Sequence, residues 1–114
     1  MHTIRLRDPW DAVLTPTGWH FSRRFQRPTG LAPEDTVHLE LAGVTQAGLI
    51  RLNGNELGPL VVNEVLRWPI QDLLHFRNAI LIELSYGEEL APEARKVPGE
   101  LIGEVRLVIE SAQG

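Results

Sequence analysis

Apolar and polar residues alternate along much of this chain at every second position, a period that predicts strands rather than helices. Within residues 36–58, Val37, Leu39 and Leu41 alternate with Thr36, His38 and Glu40, the pattern of a strand with one buried and one wet face. The chain then turns through 43–48 and runs up a second apolar segment over 49–52. It turns again at Asn53-Gly54, whose residues tolerate the positive φ of a tight hairpin. Three short strands joined by two turns are expected here.

Residues 4–14 alternate Ile4 and Leu6 with Arg5 and Arg7, break at Asp8-Pro9 and resume over 11–14. Proline donates no ladder hydrogen bond, so the expectation is one edge strand that kinks and continues. After Thr15-Pro16-Thr17-Gly18, Trp19, Phe21 and Phe25 share one strand face with Arg23 among them. An arginine in that row must find a carboxylate, main-chain carbonyls or water at the sheet's rim. In residues 59–70, Leu66, Trp68 and Ile70 alternate with Arg67 and Pro69, which places Pro69 at an edge or a bulge. A single helical turn is expected over 71–75, then a strand over 78–86 with Ile80, Ile82 and Leu84 on one face. A long loop over 87–99 precedes a last strand over 101–110 that buries Val105, Leu107 and Ile109. About eight short strands, spaced roughly 8–12 residues apart and broken by Gly and Pro turns, indicate an all-β antiparallel sandwich.

Four landmarks resemble a known domain. A strand ending in LAGV is followed by IRLNGNELG, which is similar to the FxGVD and VWLNGxxVG segments of the N-terminal sugar-binding domain of family 2 glycoside hydrolases, the β-galactosidase and β-glucuronidase group. That domain's FDVTxLLxxxNxLxIxV strand has a counterpart in Trp68, Pro69, Leu73, Leu74, Asn78, Leu81, Ile82 and Leu84, and its closing GEVRLEI-like strand in residues 103–109. Pro69 replaces the family's usual aspartate, and Ser22 replaces the first arginine of a tyrosine-arginine-arginine segment otherwise matched at Phe21, Arg23 and Phe25. The resemblance implies a jelly roll of the galactose-binding-domain-like type. It also implies that the chain is not an enzyme, since in this family both catalytic carboxylates come from a separate barrel.

With 114 residues the chain has room for one domain over 1–114 and one core. The opening MHTIRLRDPW has no apolar leader and no window approaches a membrane span, so a cytoplasmic protein without membrane contact is expected. Zero cysteines exclude disulfides, thiolate metal sites and a cysteine nucleophile. A net charge of −4 offers no footprint for nucleic acid, and Arg23, Arg24 and Arg27 read as a strand with its exit turn.

No carboxylate pair stands out among Glu34, Asp35, Glu56, Glu88 and Glu89. His2, His20, His38 and His75 lack metal-ligand spacing, the serines lack a nucleophile elbow, and no glycine motif for phosphate occurs. Nor does the spacing of carboxylates compel a structural calcium. No cofactor is therefore expected. Binding remains, to a carbohydrate or to another protein. For a sugar, Trp10, Trp68 and His20 are the candidates to stack on a ring, and Asn55, Asn63 and Arg67 the candidates to meet hydroxyls. Each could equally be structural: Trp68 stands where the family packs a phenylalanine inside, and Trp10 adjoins a strand break. A module that kept the fold and lost the sugar site, serving protein interaction or structure, is the alternative.

Overall fold

The computed structural model of the chain describes residues 1–7, 10–85 and 102–111. They form nine strands: β1 (His2–Arg5), β2 (Asp11–Thr15), β3 (Gly18–Gln26), β4 (Thr36–Ala42), β5 (Gly48–Leu52), β6 (Asn55–Leu60), β7 (Val65–Pro69), β8 (Arg77–Ser85) and β9 (Glu104–Glu110). A four-stranded antiparallel sheet in the order β1-β9-β4-β7 packs on a five-stranded one in the order β2-β3-β8-β5-β6. This is the all-β sandwich that the period-2 pattern demands. No helix among the described residues is long and apolar enough to cross a membrane. The expected loop over 87–99 lies outside the described residues.

Between the sheets, Val37, Leu39 and Leu41 of β4 meet Ile50 and Leu52 of β5, Ile80, Ile82 and Leu84 of β8, and Val105 and Leu107 of β9, all buried. Ile109 joins them partly buried. Every second residue of these strands points inward, so one register fixes the whole set, and a slip of one residue would turn it to solvent. Phe21, Phe25, Ile70 and Leu74 extend the same core.

Two connections differ from the expected ones. The segment over 4–14 is not one kinked strand. β1 pairs with β9 in one sheet and β2 with β3 in the other, so the Asp8-Pro9 break separates strands of different sheets. Likewise β4 pairs with β7 and β9 whereas β5 pairs with β6 and β8, so the first turn of the central stretch crosses between sheets instead of closing a hairpin. Local alternation cannot tell a hairpin from a crossover, since both put the same residues inward. The second turn is a hairpin: Asn53 and Gly54 have φ of 51° and 83°, and Leu52 pairs with Asn55. Two positive values in a two-residue loop match the twist of the strands they join.

The 71–75 segment forms a tight turn closed by the Leu73 amide donating to the Ile70 carbonyl at 2.8 Å, not a helical turn. Pro69 lies on β7, an edge strand, where its missing N–H costs nothing.

Asn78 is buried and ties two turns to β3. Its amide donates to the carbonyls of His75 (2.9 Å) and Phe25 (3.4 Å), and its oxygen accepts from the His75 N–H (2.8 Å) and from Asn53 Nδ2 (2.9 Å). Asn53 also accepts from the Ala79 N–H and donates to the Leu73 carbonyl. The asparagines of the LNG and NxLxI landmarks thus act as a structural latch at one end of the sandwich.

Candidate functional site

The two long edges of the sandwich differ. Where β7 faces β6, Trp68 lies opposite Leu39, hence inward, and its indole covers Gly58. A β-carbon on Gly58 would come within 2.9 Å of Trp68 Nε1, so glycine is what lets the ring close this edge. At the other edge, the end of β1 and the residues after it run beside the start of β9. A cleft of about 430 Å³ opens there, lined by Arg5, Arg7, Trp10 and Glu104 over a floor that includes Leu6 and Val105.

Trp10 sits on this cleft half-buried. Its ring packs against the core, and its indole N–H donates to the Leu6 carbonyl at 3.2 Å, which fixes the ring's orientation. The Leu6 amide in turn donates to the Val105 carbonyl at 2.9 Å, anchoring the floor to β9. On the wall, Arg5 Nε lies 3.0 Å from the Glu104 carboxylate. An aromatic ring beside charged groups that can donate and accept is the arrangement a polyhydroxylated ring needs. Arg23 belongs to the same edge: it lies opposite Ile80 on the inward face and turns its guanidinium out to the carbonyls of Arg7 (2.8 Å) and Arg24 (3.1 Å). Main-chain carbonyls therefore satisfy the arginine that the aromatic row enclosed.

The remaining residues singled out in the sequence do not converge on that cleft. His20 projects from the outer face of the five-stranded sheet, 3.7 Å from Glu83, beside a depression of about 120 Å³, below the roughly 300 Å³ at which ligand pockets begin. Asn55 is exposed at the β5-β6 turn and donates to the Leu52 carbonyl at 3.3 Å. Asn63 occupies a turn with φ of 61°, its amide donating to the Val44 carbonyl. Arg67 stands on the outer face of the four-stranded sheet, and Trp68, its neighbour in sequence, points to the inner side.

On that outer face the wet side of β4 departs from expectation, because Glu40 is buried. Arg67 and Arg106 lie directly opposite Glu40 on the flanking strands, so its carboxylate is clamped from both sides, by Arg67 Nε at 3.2 Å and by the Arg106 guanidinium. The ladder continues through Arg106 to Glu104 at 3.9 Å and through Arg67 to Glu110 at 3.5 Å. Burial of the charge is tolerated because it is paired on both sides. On the other sheet's outer face, Arg51 donates to Glu83 at 2.8 Å, which holds the guanidinium above the usual arginine range. A raised value means that the arginine's share of the stabilisation is present below its ordinary pKa and is lost as pH rises beyond it, so the guanidinium stays charged across the physiological range.

Arg7, Glu104 and Phe76 were not singled out in the sequence as site residues. Arg7 and Glu104 sit in ordinary strand alternation, and only the pairing of β1 with β9 brings them beside Trp10. Phe76 protrudes into solvent from the β7-β8 turn, exposed at 71%, a fate that no local pattern announces for a phenylalanine. Among the described residues, no group of three or more His, Asp or Glu side chains could hold a metal ion.

No protein-family model and no curated protein matches this sequence. Among solved structures, the chain is similar to an FMN-binding β-glucuronidase from Facaelibacterium prausnitzii L2-6, with a TM-score of 0.70 and 17% identity over 95% of this chain. It is similar also to a β-D-mannosidase from Dictyoglomus thermophilum, with a TM-score of 0.68 and 15% identity over 95% of the chain. A putative β-galactosidase from Bacteroides fragilis gives a TM-score of 0.59 and 18% identity over 80% of the chain. The chain spans 22% of the length of each of the first two enzymes and 15% of the third. Its fold is therefore that of a β-sandwich domain within glycosidases of the family 2 type, of whose length it spans between 15% and 22%.

Proposed function

We propose that this chain is a non-catalytic carbohydrate-binding module whose site is the Trp10 cleft. One observation carries the reading: at the open edge a half-buried, hydrogen-bond-fixed indole shares a concavity of about 430 Å³ with Arg5, Arg7 and Glu104. That volume suits one or two sugar units. The fold likeness supports a role beside a glycosidase catalytic domain rather than in place of one, because the chain is far shorter than a catalytic barrel of roughly 200 residues or more. Affinity should be low, near millimolar, since each hydroxyl exchanges water for protein at a net gain of about 1 kcal/mol.

Titration with neutral mono- and oligosaccharides, followed by tryptophan fluorescence, tests the reading. Saturable quenching that Trp10→Ala abolishes and His20→Ala leaves intact is the expected result. Binding that survives Trp10→Ala would move the site elsewhere. Incubation with aryl β-galactoside, β-glucuronide and β-mannoside should give no turnover, and turnover that persisted through purification and vanished on replacing one carboxylate would overturn the non-catalytic assignment.

A second reading, a protein-interaction module, draws on the edge strand β2. Val13 and Leu14 are exposed there at 59% and 46%. The opposite edge, β6, carries Pro59 and a register shift against β5, and β7 ends on Pro69, devices that discourage pairing with another strand. β2 has no proline or register shift against β3. If a partner strand adds there, Val13→Lys should abolish the association seen by light scattering with the wild-type chain.

A further inference from the structure

Four strands form the edges of the two sheets: β1 and β7 of one, β2 and β6 of the other. Three carry devices against further pairing. β6 has Pro59 and a register shift, β7 ends on Pro69, and β1 is only four residues long and includes Arg5, tied to Glu104. β2, with the sequence DAVLT, has no proline, no basic residue and no register shift against β3. Among the described residues it pairs with β3 alone.

Both faces of β2 are bare. Val13 lies opposite His20 on the outer face and is 59% exposed. Ala12 and Leu14 lie opposite Phe21 and Trp19, on the inward side, yet both are exposed, so burial ends at β3 on this side. The main chain has a bare side too. Thr15 and Gly18 pair across the two-residue Pro16-Thr17 turn, so their main-chain groups bond each other. Such pairs alternate along an antiparallel ladder: Val13 and Asp11 also aim their N–H and C=O at β3, and those of Ala12 and Leu14 aim at the free edge.

We infer that β2 pairs antiparallel with β2 of a second copy of this chain, about a two-fold axis at Val13. This names the partner in the protein-interaction reading and rests on that reading. In this register the strand is complementary to itself. Val13 meets Val13 of the second copy. Ala12 meets Leu14 and Leu14 meets Ala12, so a large side chain lies beside a small one on either side of the axis, and Asp11 meets Thr15. The edge groups of Ala12 and Leu14 then bond in two reciprocal pairs, and the two Val13 residues form the non-hydrogen-bonded pair between them. In-register parallel addition would instead bring the two Asp11 carboxylates together, which disfavours it. A five-residue edge gives a small interface, below about 1,200 Å², so the dimer should be reversible, with a Kd of about 10–100 μM.

Sedimentation velocity over about 5–500 μM should show the mean mass rising from 12.8 kDa toward twice that value and no further. Val13→Lys sets two like charges on the axis and should raise the Kd at least about tenfold; the site is exposed, so the variant should fold. The chain has no cysteine, so introduced thiols report the register. Residues opposite each other in a non-hydrogen-bonded pair have Cα atoms about 4.5 Å apart, within disulfide reach. Val13→Cys should therefore cross-link on mild oxidation at least about tenfold faster than Val61→Cys, an exposed control away from β2. Asp11→Cys should cross-link with Thr15→Cys and not with itself. A chain that stays monomeric, with Val13→Cys no faster than the control, overturns the inference. If that monomer still takes up the capped peptide Thr-Val-Thr-Val-Thr, with new amide protection at Ala12 and Leu14, the protein-interaction reading stands with another partner; if it does not, both fall. A dimer that survives Val13→Lys and shows no preference for Val13→Cys has its contact elsewhere and also overturns the inference.

Discussion

Trp68 and Trp10 stand at opposite long edges of one sandwich, and what faces each ring decides its use. Trp68 faces Gly58, whose missing side chain leaves room for an indole to lie over the β6 backbone, so the edge is sealed. Trp10 faces the end of β1 and the start of β9, where charged side chains rim a cleft. The same residue type therefore seals one edge and stays accessible at the other. The difference lies in the neighbours and not in the tryptophan: a glycine beneath one ring lets it close an edge, and charged neighbours leave the other at the rim of a cleft.

The largest expected effect lies at the sealed edge. Trp68→Ala should cost about 2–3 kcal/mol in chemical denaturation, less than a fully buried tryptophan because the ring is half-exposed, whereas Trp10→Ala should cost about 1 kcal/mol. Equal losses would show that the two edges are packed alike. Gly58→Ala comes next, at about 1–2 kcal/mol, because its methyl group must displace a rigid ring; near-UV circular dichroism should report the displaced indole. No change in either signal would mean that Trp68 is not held against β6.

At the open edge the effects are smaller and separate two neighbours. Arg23→Ala removes two charge-assisted hydrogen bonds to carbonyls and should cost about 1 kcal/mol. Arg24→Ala, on the opposite face of β3, should stay within about 0.5 kcal/mol. Equal and negligible losses would show that Arg23 does not tie β3 to Arg7.

The alternation in β4, β5, β8 and β9 was legible because burial on one face of a strand leaves a mark at every second residue, and the Asn53-Gly54 hairpin because positive φ restricts residue choice. Pro69 and Arg23 were legible for similar reasons: a missing donor and an enclosed charge each leave few places to go. The candidate site was legible only at Trp10, and there only as one of six residues that the structure scatters over separate surfaces.

The sequence by itself determined which residues face the core and where the chain turns, since both are set by interactions among residues close along the chain. Only the tertiary structure decided that β1 and β2 lie in different sheets and that the turn after β4 is a crossover. It alone buried Glu40 between Arg67 and Arg106, and it brought Arg5, Arg7 and Glu104 beside Trp10. These depend on which strands become neighbours, and the pairing of β1 with β9 joins residues about a hundred positions apart, a distance across which no local period carries information.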